Sequence, residues 1–310
     1  MTRGASQREV GYSRDRVDKV NGLLIIDKPS GMTSHDVVAR LRRATGEKSI
    51  GHLGTLDPMA TGVLPLLLGK YTRLAQFYGA HEKAYTGTIR FGFSTDTYDA
   101  AGTSTSDHIH PAFTLEQLRA AASKFSGDTD QLPPPISAKK IGGKPAYKIA
   151  RSGNIPQLKT VRVHIAEFMI VSLDGVLAAF NMRISAGGYV RSVAHELGQV
   201  LSCGAHLASL CRTASGPFSI EQAISLADVE TLAREGQLTA HLPHPRALLP
   251  ELPSITADEQ TVARLRNGTQ VNLPEFTQAP LVKIFYGQRE LVAIGKRIAG
   301  TLFQPTIVLV

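Results

Sequence analysis

The chain has 310 residues, 43% of them hydrophobic, and a net charge of +8 with a pI near 9.5. That is enough apolar material for one large domain and a small one, and it excludes global disorder. No run of eighteen apolar residues occurs, so no membrane-spanning helix is expected.

Residues Met1 to Val20 carry Arg3, Arg8, Arg14, Arg16 and Lys19 without the apolar stretch of a secretory signal, and read as a mobile, basic lead-in. Gly22 to Asp27 is a short apolar run ending in turn-prone Asp-Lys-Pro-Ser-Gly, the pattern of a strand. Thr33 and Ser34 cap a helix with Val37, Val38 and Leu41 inward, Arg40, Arg42 and Arg43 outward, and Gly46 at its end. The densest motif follows, Gly51-His-Leu-Gly-Thr-Leu-Asp-Pro-Met-Ala-Thr-Gly62. Its glycines permit tight turns, but they match neither a P-loop nor a dinucleotide fingerprint. Asp57, biased to extended backbone by Pro58, reads from its chemistry either as a catalytic carboxylate or as a turn-forming Asp.

From Tyr85 to Phe93, Tyr85, Gly87, Ile89, Phe91 and Phe93 fall on one face and Thr86, Thr88 and Arg90 on the other, the period of a strand. Thr114 to Phe125 is a helix with a Thr114–Gln117 capping box. Between Gln131 and Ile165 lie Lys139, Lys140, Lys144, Lys148, Arg151, Lys159 and Arg162 and no acidic residue. Almost the whole charge excess therefore sits in one segment, the footprint of a partner with a phosphate backbone. The prolines 133 to 135, the pair Gly142-Gly143 and the lack of periodicity make it a long loop, a feature usually functional inside a domain. Phe168 to Ile184 reads as a hairpin with a type I′ turn at Asp174-Gly175. Val190 to Leu201 carries a helical stripe ended by Gly204, which puts Tyr189 and Arg191 where a strand hands over to a helix. Gly236 to Pro253 reads as a proline-rich linker. A helix from Ala257 to Leu265 and strands at Leu281 to Tyr286, Leu291 to Ile298 and Leu302 to Val310 then suit a small β-barrel-like module.

Cys203 and Cys211 are the only cysteines, too few for a disulfide framework and consistent with a reducing, cytoplasmic setting. His206 lies between them, but no fourth zinc ligand appears at recognisable spacing. They read as two buried thiols, and no metal is expected.

Four blocks occur in order: Asn21-Gly-Leu-Leu-Ile-Ile-Asp-Lys-Pro-Ser-Gly-Met-Thr-Ser, Gly51 to Pro65, Lys83-Ala-Tyr, and Gly188-Tyr-Val-Arg-Ser. Together they resemble the TruB family of tRNA pseudouridine synthases. The resemblance implies an α+β pseudouridine synthase fold: a large mixed, mostly antiparallel sheet flanked by helices over residues 21–235. It also implies an RNA-gripping insertion at about 131–165 and, with Arg266-Asn-Gly268 as its best match, a PUA-like RNA-binding module over 254–310. The implied activity is isomerisation of uridine 55 in the T-arm of tRNA by a monomer that needs no cofactor. Asp57 would be the catalytic carboxylate, Arg191 its partner, and Tyr85 the ring against the flipped uracil. Tyr189 would be a second pocket aromatic, Leu210 an apolar wall, and His52 a wedge in the space that flipped bases vacate. Lys28, Lys139 and Lys148 would contact substrate. The competing reading is an RNA chaperone that binds through the same basic cleft without turnover.

Overall fold

The computed structural model describes residues 20–137, 140–141, 144–145 and 158–310. The basic lead-in, Lys139 and Lys148 lie outside the described residues.

Seventeen strands are described, in a large sheet, a smaller C-terminal sheet and one two-stranded ribbon. The large sheet runs β12 (Ile224–Ser225), β1 (Gly22–Lys28), β3 (Thr61–Leu68), β10 (Ala205–Ser215), β4 (Lys83–Phe91), β9 (Leu177–Ile184), β8 (Val161–Asp174), β5 (Gly127–Gln131). The short strands β2 (Ile50–His52) and β11 (Phe218–Ser219) pair with β3 and β10. Only β1–β12 and β3–β10 are parallel, so the sheet is mixed and mostly antiparallel. The ribbon pairs β6 (Lys140–Ile141) with β7 (Lys144–Pro145).

The apolar runs of β1 and β3 are nearly continuous because these strands are buried on both faces. Leu24, Ile26, Leu64 and Leu66 face a core shared with the helices. Leu23, Ile25, Val63 and Leu67 face a second core shared with Phe285, Leu291, Ile294 and Ile307 of the C-terminal module. The described α-helices are α1 (Ser34–Thr45), α2 (Leu115–Ala122), α3 (Val190–Val200), α4 (Leu226–Arg234) and α5 (Glu259–Arg266). Helix α1 starts with a capping box between Thr33 and Asp36 and ends at Gly46, whose φ of 69° is left-handed. Val37, Val38 and Leu41 are its buried stripe, as the periodicity predicts. Helix α2 starts with the expected Thr114–Gln117 box, and its last turn, Ser123–Phe125, tightens to a 3-10 helix.

Two expectations need correction. The hairpin turn is shifted by one residue: Asp174 pairs with Leu177, leaving Gly175 and Val176 as the loop. Only Gly175 has positive φ, at 55°, which is the pattern of a type II′ turn rather than I′, because β-branched Val176 resists the left-handed region. The proline-rich stretch from 236 to 253 is not a free tether. Leu238, Leu242, Leu248 and Leu249 are buried, and the last two join the second core. The leucines between the prolines decide this, since each gains more from burial than a tether gains from freedom.

The C-terminal module is a five-stranded sheet in the order β13 (Ser254–Ala257), β15 (Leu281–Tyr286), β16 (Glu290–Ala299), β17 (Leu302–Val308), β14 (Val271–Asn272). Its three long strands match the expected runs closely. No described helix is long and apolar enough to cross a membrane.

Candidate active-site cleft

The loop between β2 and β3 carries Asp57, and buried cations hold it from beneath. Arg212, on β10, is 1% exposed. Its Nε donates to the Val63 carbonyl (2.7 Å), Nη2 to Gly54 (3.0 Å) and Nη1 to Thr55 (3.4 Å). Lys28, at the end of β1, donates from Nζ to the carbonyls of Met32 (2.6 Å), Pro29 (2.8 Å) and Pro58 (3.3 Å). The Ser34 hydroxyl accepts from Leu56 N–H at 2.9 Å. Loop carbonyls without strand partners are thus satisfied by charged donors, which bond more strongly than neutral ones. Gly62 lets β3 approach β10: its φ is 94°, and a Cβ there would lie 2.3 Å from the Arg212 carbonyl oxygen.

This geometry corrects the expectation for Lys28. The residue is fully enclosed and its ammonium is spent on backbone carbonyls, so it braces the loop rather than facing a substrate. Burial is the largest influence on it and lowers its pKa to about 8, with Asp57 pulling the other way.

Arg191 sits in the first turn of α3, where a cation opposes the helix dipole. Four acceptors compensate. Nη2 donates to Asp57 Oδ1 at 2.8 Å, and Nη1 donates to the carbonyls of Thr97 (2.9 Å) and Ile136 (3.1 Å) and lies 3.6 Å from Asp99 Oδ2. The Arg191 side chain is only 6% exposed, whereas that of Asp57 is 31% exposed. The cation is locked in the wall while the carboxylate stays accessible from the cleft.

The cleft has a volume of about 620 Å³, and Asp57, Arg191, Tyr85, Tyr189, Leu210 and His52 all line it. Tyr85 comes from β4 and Leu210 from the adjacent β10; both are largely buried. Tyr189 is the N-cap of α3, and Gln131 clamps its backbone by accepting from its N–H (2.7 Å) and donating to its carbonyl (2.9 Å). Burial raises the Tyr189 phenol's pKa. His52 is pushed below its usual range by burial first, then by His35 and Arg212. These surroundings favour the neutral imidazole.

Sequence reasoning missed three members of this site. Asp99 is buried, and its Oδ1 accepts from Thr97 Oγ1 (2.7 Å) and Ala101 N–H (3.0 Å). Its setting, Thr95-Asp-Thr-Tyr-Asp99, reads as a polar turn, and no periodicity distinguishes a buried Asp there. Arg212 looks like any strand cation until its neighbours are known. Lys83 lines the cleft two residues before Tyr85, on the same side of β4; its place in the Lys-Ala-Tyr block was the available signal. The root of the basic insertion also reaches the site, through Gln131, Ile136 and the Leu132 carbonyl that accepts from Ser192 Oγ at 2.7 Å. Among the described residues no group of three or more His, Cys, Asp or Glu side chains is placed to hold a metal ion.

Residues 42–190 match the model of the TruB family pseudouridylate synthase N-terminal domain, and residues 191–250 that of the tRNA pseudouridylate synthase B C-terminal domain. Over 94% of its length the chain is 46% identical to the whole of tRNA pseudouridine synthase B from Solibacter usitatus (strain Ellin6076). The chain belongs to the TruB family of pseudouridylate synthases. A second TruB relative, tRNA pseudouridine synthase B from Geobacter sulfurreducens, is 40% identical over 80% of this chain and 82% of its own. Among solved structures, a Cbf5-Nop10-Gar1 complex contains a chain of the same fold, with a TM-score of 0.67 and 26% identity over 93% of this chain and 85% of that one. The archaeal box H/ACA sRNP Nop10-Cbf5 complex gives 0.64 and 27% over 93% and 86%. As a TruB-family enzyme the chain is a pseudouridine synthase. The Asp57 loop and both tyrosines fall within the matched N-terminal region and Arg191 opens the second matched segment, while the five-stranded C-terminal sheet lies beyond both.

Proposed function

We propose that this enzyme converts uridine 55 in the T-arm of tRNA into pseudouridine, with Asp57 as its nucleophile. The observation that carries the reading is the 2.8 Å Arg191–Asp57 pair in a cleft lined by two tyrosines and a leucine. The target uridine leaves the RNA stack at a cost of a few kcal/mol. Stacking on Tyr85 and contact with Tyr189 and Leu210 offset that cost, at roughly 1–3 kcal/mol per stacked base. His52 fills the space the base leaves. Arg191 orients the Asp57 carboxylate through their 2.8 Å charge-assisted hydrogen bond. The N1–C1′ bond breaks, the base turns while the pocket retains it, and C5 joins C1′. The C5 proton departs and N1 gains one, so the reaction is an isomerisation with no oxidant, metal or nucleotide in its balance. Covalent participation by the carboxylate divides one difficult step into easier ones.

The insertion at 131–165, with Lys139 and Lys148, is the proposed grip on the T-arm, and the module at 254–310 a PUA-like second RNA contact. The enzyme is read as a cytoplasmic monomer. Mapping pseudouridine nucleotide by nucleotide in unmodified tRNA incubated with purified protein tests the assignment. A single modified site in the T-arm is expected. Modification elsewhere, or tight binding with none, rejects it; the second result would favour an RNA chaperone.

A further inference from the structure

The cleft has two chemically different ends. Around Asp57 the arginine is neutralised by carboxylates. Around Gly54 the charge is positive, and among the described residues no carboxylate forms an ion pair with it. A Cβ at Gly54 would stand 3.5 Å from Arg212 Nη1 and 3.6 Å from Lys83 Cε, ordinary contact distances, so both cationic side chains lie beside this one glycine, whose φ of 148° excludes most side chains. The two cations differ in what they can still do. Arg212 has its guanidinium committed to three backbone carbonyls and is 1% exposed, so it contributes a field but no free contact. Lys83 is half-buried on the cleft wall and spends one donor, at 2.6 Å, on the His81 carbonyl. Among the described residues no carboxylate pairs with it. Burial and then Arg212 lower its pKa, as follows for an ammonium with no counter-charge. Gly187 and Gly188 also line the cleft.

We propose that Lys83 binds a phosphodiester of the RNA strand that delivers the target uridine, making the Gly54–Arg212–Lys83 corner the phosphate subsite of the cleft. This rests on the reading of the cleft as the uridine site. An ammonium that keeps two donors in a half-buried, positively biased corner matches a phosphate, which brings the missing negative charge and several acceptor oxygens. The glycine at position 54 lets the sugar-phosphate backbone come within contact of that ammonium.

The test compares wild type with Lys83→Gln, which keeps a donor for the His81 carbonyl, and with Lys83→Arg, which keeps the charge. Binding of a T-arm stem-loop RNA is measured across a salt series. Lys83→Gln is expected to weaken binding about tenfold at low salt and to reduce the slope of log Kd against log salt by about 0.7–0.9, the loss of one phosphate contact. Lys83→Arg is expected to keep the slope. An unchanged slope in Lys83→Gln overturns the proposal. A second arm needs no protein variant to fold: neutral methylphosphonate linkages are placed singly around the target uridine. One of them is expected to weaken wild-type binding; if none does, the proposal fails. Pseudouridine formation by wild type is scored in the same preparations. Its absence would reject the uridine site itself, whereas turnover with an unaltered Lys83→Gln slope rejects only the phosphate subsite.

Discussion

Arg191 is held by geometry that no other cation reproduces. Its planar fork reaches Asp57, two carbonyls and the edge of Asp99 at once, and an ammonium at the same place has no such fork. Arg191→Lys is expected to slow single-turnover pseudouridine formation by on the order of a hundredfold, the scale seen when one oriented donor is removed, while filter-binding affinity for RNA stays within about threefold. Lys28 gives a prediction in pH. Its folded pKa of about 8 lies below the ordinary 10.5, so between those values the unfolded chain binds more protons and stability rises with pH. Below about pH 8 the buried charge costs its full amount. Urea unfolding at the two ends of that window is expected to show this rise in wild type and its loss in Lys28→Met, and equal slopes in both would contradict it. Asp57, Tyr85, Tyr189 and Arg191 were legible in the sequence because their motif blocks carry them. Lys28 stands in such a block too, yet the block reveals only that a lysine is needed, not which atoms it meets. Asp99 and Arg212 were illegible because their roles depend on contacts between segments far apart in the chain.

At the scale of elements, the acidic loop keeps its shape because β3 lies tight against β10. Gly62→Ala would push a methyl into the Arg212 carbonyl at a left-handed φ. The strain and overpacking are expected to cost about 3 kcal/mol or more, read as a lowered urea midpoint, with catalysis falling alongside because Arg212 holds the loop. Thr33→Ala removes one half of the α1 capping box and is expected to cost about 1 kcal/mol, a control that weakens the fold without touching the cleft. Most elements were legible from local pattern: the caps of α1 and α2, the stripe of α3 and the long strands of the module each follow from short-range periodicity. The order of strands was not, since β10 enters between β3 and β4 from more than a hundred residues away. The hairpin turn was misplaced by one residue for a similar reason: pairing across β8 and β9, not the Asp-Gly dipeptide alone, fixes which two residues form the loop.

For the molecule as a whole, the C-terminal module is a structural cover as well as a second surface. Removing the residues beyond 253 would uncover Leu23, Ile25, Val63 and Leu67 by taking away Phe285, Leu291, Ile294 and Ile307. The shortened protein is expected to bind a hydrophobic dye and to unfold at lower temperature than the full chain; unaltered thermal unfolding would mean that the second core does not depend on the module. The charge of +8 is expected to give RNA binding a steep salt dependence through counterion release. Both properties would hold for a binding protein without turnover, so neither tests the chemistry. Release of tritium from RNA carrying 5-tritiated uridine does, with wild type and Asp57→Asn compared at equal occupancy of RNA. The arrangement of Asp57 and Arg191 predicts release by wild type and none above background by Asp57→Asn; release from both, or from neither, would contradict it.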